Sequence, residues 1–213
     1  MDSIVCFRDF EERDIDFVYR CKNNEKLWEY TVGDFHKFSY EEAVEWVHGC
    51  MRDDPTYKFW AICKNDETRD IVGWCSIAKI NYDNKSAELH GIVIGDVEYH
   101  DGFTWIESLL FILKYVFETL CFEKLTTCWL IDHPISSCLA CFVKQGSSES
   151  IVIENNGHPH KIESVYFTKE EYYHNRDAGD FEMRKIIQKI VKYSKDNSSL
   201  ILRKLRHGAN AVE

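Results

Sequence analysis

Residues 88–107 read ELHGIVIGDVEYHDGFTWIE, and their pattern decides how this 213-residue chain folds. Residues 89–94 read as a short buried strand. Gly95, Asp96, Asp101 and Gly102 then supply turn chemistry, and a long apolar helix begins near Thr104. A strand that passes through such a loop into a helix aims free backbone N–H groups and the positive end of a helix dipole at one point, where a phosphate or diphosphate is stabilised. The stretch points to a nucleotide-type cofactor.

Outward from it, residues 57–63, 71–81 and 86–94 read as strands separated by short polar turns, which makes an antiparallel meander. The helix over residues 104–120 is apolar almost all round and so is covered on two sides. Residues 125–131 must return as a strand parallel to the one before the helix, through a β-α-β crossover. Toward the N-terminus, residues 3–10 read as an edge strand, and from Arg13 a helix places Ile15, Val18 and Tyr19 on one side. Ser39 and Glu42 form a capping box for a second helix with Ala43, Val44, Trp46, Val47 and Met51 on its apolar side. Pro134 precedes a short helix over residues 135–145, and residues 150–154 and 163–168 read as strands around a hairpin loop at 155–160. A terminal helix or turn begins at Lys169, and Met183, Ile186, Ile187, Ile190 and Val191 recur at helical spacing beyond it. The class is α+β: a mixed, mostly antiparallel sheet, helices on both faces, one parallel crossover and a C-terminal helical extension.

A 45% hydrophobic, 14% aromatic chain of this length buries one good core. No window has the uncharged apolar length of a membrane helix, and Asp2, Arg8 and Asp9 interrupt the start of the chain. Nine scattered cysteines, an odd number with only Cys138 and Cys141 as a CxxC, are expected to be reduced, as in a cytoplasmic protein, rather than to form disulfides or a zinc site. The net charge is −10, with an excess of +6 confined to residues 184–213. An acidic body argues against a nucleic-acid partner and favours a cationic acceptor.

The run AELHGIVIGDVEY, followed by a loop, Glu107 and an apolar helix, resembles the core motif of the GNAT superfamily of acetyl-CoA-dependent N-acetyltransferases, especially the branch of the ribosomal-protein alanine N-acetyltransferases. Ala87, Glu88, Leu89, Gly91, Ile92, Val93, Ile94, Gly95, Asp96, Glu98, Tyr99, Glu107 and Leu109 match the family pattern, with His90 as one extra residue. The resemblance implies a GNAT domain over residues 1–174 with a basic helical extension over 175–213. It also implies acetyl-CoA as co-substrate and a primary amine as acceptor: a protein N-terminus, a small amine or an amino sugar. Homodimers are left open.

The resemblance assigns the cofactor's pantetheine arm to the backbone of Ile92, Val93 and Ile94, and its diphosphate to the loop His100, Asp101, Gly102, Phe103 and Thr104. Phe103 and Trp105 stand where an ungapped alignment has small residues, while a one-residue deletion places Tyr99, Gly102 and Thr104 at the pattern's Arg, Gly and Gly positions. Asp101 repels a diphosphate unless it points away. Further contacts fall on Ser137, Cys138 and Phe142, the last replacing a Tyr that often protonates the departing thiolate. Glu88 is the expected general base, with His90 two residues along the strand as the second candidate. Trp28, Tyr30 and His36 are the expected acceptor contacts, since aromatic rings suit a cationic amine. A GNAT fold that has lost its cofactor loop and serves as a binding module is the rival reading.

Overall fold

The computed structural model describes residues 3–28, 31, 35–130, 149–155 and 158–193. Among them, seven strands form one sheet in the order β1-β2-β3-β4-β5-β7-β6. They are β1 Val5–Arg8, β2 Lys58–Lys64, β3 Ile71–Asn81, β4 Ser86–Ile94, β5 Lys124–Leu130, β6 Glu149–Asn155 and β7 His158–Thr168. The helices are α1 Ile15–Lys22, α2 Tyr40–Met51, α3 Phe103–Lys114, α4 Lys169–Asp177 and α5 Met183–Tyr193. Neighbouring strands are antiparallel except β4 and β5, which are joined through α3 as the crossover requires.

Alternation along the central strands sorts side chains to two cores. On one face, Ile62, Val72, Ile77, Leu89 and Leu125 pack with Ile106, Leu109, Ile112 and Phe117 of the α3 region. On the other, Ala61, Cys63 and Trp74 pack with Val18 and Cys21 of α1 and Val47 of α2. The near-uniform apolarity of α3 follows from its position between the sheet and the C-terminal helices, whose Tyr172, Ile186 and Ile187 are buried in the same core. One turn of π-helix, Tyr115–Thr119, ends α3 before β5.

Local signals fix the ends. Ser39 Oγ accepts from Glu42 N at 3.2 Å and Glu42 Oε2 accepts from Ser39 N at 2.7 Å, the expected capping box. Glu107, a residue of the quoted stretch, reaches back from α3: its carboxylate accepts from Ile4 N at 3.2 Å and from Ser3 Oγ at 2.9 Å, tying the edge strand to the helix. The second hairpin departs from expectation. β7 begins at His158, paired with Asn155, so the loop read at residues 155–160 is strand except for Asn156 and Gly157, which lie outside the described residues. Asn-Gly is the dipeptide that favours a two-residue connection, and it outweighs the loop-like composition around it. The helix expected over residues 135–145 also lies outside the described residues.

Candidate active site

The site is built on β4. This strand pairs with β3 from Ser86 to Ile94, with two register irregularities, yet it pairs with β5 only through Ser86, Ala87 and Glu88, opposite Lys124, Leu125 and Thr126. Beyond Glu88 the two parallel strands share no register, and the edge of β4 facing β5 carries backbone N–H and C=O groups that the sheet does not use. The run expected to be buried is accordingly half-buried at Ile92, Val93 and Ile94.

A bulge sits where the strands part. Ser76 pairs with Gly91 and Ile77 with Leu89, so His90 is unpaired and absorbs the one extra residue seen in the sequence. It also changes the strand's phase: Leu89 faces the α3 core, and so do Ile92 and Ile94, whereas Val93 packs on the α1–α2 side. Simple two-residue alternation does not carry from Glu88 to His90 across such a bulge. His90 is exposed, with its ring edge-on to Tyr57 at 6.1 Å. Glu88 is half-buried; its Oε2 accepts from Lys79 Nζ at 2.7 Å, while Oε1 has no protein partner among the described residues. This exposed lysine beside a carboxylate has its pKa raised by the hydrogen bond to Glu88.

Two glycines let the chain close around the end of β4. A Cβ at Gly73 would collide with the Val93 carbonyl oxygen, and one at Gly95 would collide with Cys21 Sγ, so β3 and α1 both approach closer than a side chain allows. Gly95 N and Asp96 N both donate to Val72 O, at 2.9 and 3.1 Å, and end the strand there.

The loop into α3 is held by its own polar groups. His100 Nε2 lies 2.6 Å from Ile94 O. Asp101 Oδ1 accepts from Phe103 N at 2.9 Å and Thr104 N at 3.1 Å, so the carboxylate occupies the first amides of the helix. Gly102 is buried with φ 86°, the left-handed conformation that favours glycine. Phe103 and Trp105 pack against the α3-side core. Thr104 is fully buried and its hydroxyl has no partner among the described residues, an unfilled hydrogen-bonding group at the mouth of the helix.

On the α1–α2 side, the Trp28 indole donates to Cys21 O at 2.9 Å. The expected His36 is exposed, 3.3 Å from Glu42 Oε1. Tyr30, Ser137, Cys138 and Phe142 lie outside the described residues. Sequence reasoning passed over Lys22, the last residue of α1, whose ammonium stands 4.5 Å from the ring centre of Trp28, 4.6 Å from that of Trp46, 5.0 Å from that of Phe38 and 5.7 Å from that of Trp74. The clue present in the sequence was Trp28, six residues after Lys22; the convergence of Phe38, Trp46 and Trp74 on the same ammonium is tertiary. Burial lowers the Lys22 pKa to about 8. A hollow of about 600 Å³ lies between α1 and the adjoining ends of β1, β2, β3 and β4, lined by mixed charges including Arg20, Lys64, Asp70 and Asp96. The candidate for acyl chemistry is the β4 edge that β5 leaves unpaired beyond Glu88.

Residues 5–140 match the acetyltransferase (GNAT) domain family, and the chain belongs to it. A spermidine N(1)-acetyltransferase of Vibrio cholerae is 24% identical over 177 residues, covering 81% of this chain and 97% of the relative. The crystal structure of a spermidine N-acetyltransferase from Vibrio cholerae, in complex with CoA and spermine, superposes with a TM-score of 0.66 at 22% identity, covering 81% of this chain and 99% of that one. A probable acetyltransferase superposes with a TM-score of 0.67 at 16% identity, over 80% and 96% of the two chains. These relatives move the chain away from the ribosomal-protein branch that the β4 motif resembled.

Acetyl-CoA fits the residues present. The unpaired edge of β4 offers the pantetheine arm strand-like hydrogen bonds, and the Thr104 hydroxyl together with the N-terminus of α3 suits a diphosphate once the Asp101 carboxylate turns aside.

Proposed function

We propose that this chain transfers an acetyl group from acetyl-CoA to a primary amine of a small polyamine. The supporting observation is the early parting of β4 and β5, which exposes one strand edge beside Glu88 and the His90 bulge. When bound, acetyl-CoA would supply a thioester activated for direct attack by nitrogen, the C–N bond forming as the C–S bond breaks and CoA leaving as a thiolate that solvent can protonate. Glu88 is the assigned base. Lys79 fixes one of its oxygens, leaving Oε1 to take a proton from the incoming ammonium directly or through water. Backbone N–H groups of residues 91–94 polarise the carbonyl under attack. His90, exposed at the bulge, is the second group able to move a proton there.

The acceptor class is supported by the spermidine acetyltransferases that this chain resembles, by its net charge of −10, and by the aromatic surfaces on the α1–α2 side. Trp28 and His36 are the assigned acceptor contacts in the described part of the chain. The test is calorimetric titration with acetyl-CoA, followed by a free-thiol assay across polyamines, amino sugars and peptide N-termini. Saturable binding and thiol release with polyamines are expected. No heat at millimolar acetyl-CoA refutes the transferase reading, and turnover confined to peptides or sugars refutes the acceptor.

A further inference from the structure

We propose that the aromatic box around Lys22 is an alkylammonium site that the free protein fills with its own lysine and that receives one charged end of a linear polyamine. This rests on the polyamine reading above. Four ring faces from separate parts of the chain surround one ammonium: Trp28 after α1, Phe38 before α2, Trp46 within α2 and Trp74 on β3. Among the described residues, that ammonium has neither an ion-pair partner nor a hydrogen-bond acceptor. The titratable groups facing it are the thiols of Cys21 on α1 and Cys50 on α2, both pushed up to about 12 by burial and therefore neutral.

An unpaired ammonium held only by π faces is how proteins recognise free alkylammonium ligands. A structural lysine, by contrast, places its charge in water or against a carboxylate. The occupant also shows what fits. A lysine side chain is a butylammonium, the same fragment as the aminobutyl end of a polyamine. The box lies directly behind the cleft: Cys21 packs against Gly95 at the end of β4, and Trp74 pairs with Val93. From Glu88 to Val93 the strand advances roughly 13 Å, allowing for the bulge. A linear polycation can therefore place one nitrogen near Glu88 and another in the box.

The experiment uses the full chain without acetyl-CoA, titrated with spermidine and with tetramethylammonium, followed by tryptophan emission and calorimetry. Lys22→Met keeps the stem and removes the competing charge. It is expected to bind both probes at least tenfold more tightly than the unmodified protein, and adding Trp46→Leu should cancel the gain. Equal affinities with and without Lys22, or a gain that survives Trp46→Leu, overturn the proposal. Should Lys22→Met fail to fold, the unmodified protein decides: tetramethylammonium has no proton to lose, so its affinity should rise as pH passes 8 and Lys22 discharges, and a flat profile overturns the proposal. Acetyl transfer is measured separately on the same samples. A box that binds polyamines without turnover sinks the transferase reading alone, and turnover without the Lys22 effect sinks the box alone.

Discussion

Asp101 decides how tightly the loop before α3 can hold a diphosphate. Its carboxylate now takes the amides of Phe103 and Thr104, at 2.9 and 3.1 Å, and brings a negative charge to the place where a second anion is expected. Two unit charges about 4 Å apart repel by about 1 kcal/mol in water and about 4 kcal/mol at a partly screened protein surface. Relief of about 1.4–2.8 kcal/mol corresponds to roughly 10- to 100-fold in affinity. Asp101→Asn preserves a side-chain acceptor for the helix amides and removes only the charge, so acetyl-CoA should bind at least ~10-fold more tightly with little loss of stability. Asp101→Ala also frees the amides, at a capping cost of about 0.5–2 kcal/mol. It should bind acetyl-CoA more tightly still while unfolding at lower urea. Acetyl-pantetheine, which has no diphosphate, should be indifferent to either change. Weaker acetyl-CoA binding by Asp101→Asn, or an equal gain for acetyl-pantetheine, would refute this reasoning.

Further outcomes follow from the same structure. Glu88→Gln should lower kcat by about 10²- to 10⁴-fold near neutral pH with little change in acetyl-CoA affinity, and an unaltered pH–rate profile would clear Glu88 of the role. Asp14 is buried and accepts two hydrogen bonds from the Arg8 guanidinium, at 2.7 and 2.8 Å, so Asp14→Ala leaves that cation, among the described residues, only the longer 3.6 Å carboxylate contact with Glu11 and should cost about 3 kcal/mol in urea unfolding. Lys22 has its folded pKa lowered from 10.5 to about 8, so the unfolded chain holds this proton more tightly. The wild type should gain stability as pH rises from 8 to 10.5 and carry a constant penalty below that window. Lys22→Met should therefore stabilise the protein by about 1–3 kcal/mol at pH 7, the ring faces offsetting part of the desolvation, and by nothing once both states are discharged. Gly95→Val should disrupt the packing of α1 on β4, read as a lowered Tm and weakened acetyl-CoA binding together.

Much of the architecture was legible because local chemistry and tertiary structure agree. The Ser39–Glu42 box, the meander, the crossover around α3 and the extra residue at His90 all leave marks in consecutive positions. What escaped was long-range. Lys22 reads as a polar last turn of a helix, and nothing in the spacing of residues 28, 38, 46 and 74 announces that their rings meet around it. Asp101 beside a diphosphate loop reads only as repulsion, whereas the fold also uses its carboxylate to accept from the helix's first amides. The ion pair between Lys79 and Glu88 depends on a left-handed residue at Lys79, with φ 49°, and on a register irregularity in β3, neither of which the residue types specify.

The parting of β4 from β5 is the claim on which the rest depends, and amide hydrogen exchange with and without acetyl-CoA tests it most directly. Slowed exchange concentrated in residues 91–94 and at the start of α3 is the predicted result. Exchange left unchanged there at saturating ligand, or protection confined to another part of the sheet, would contradict it.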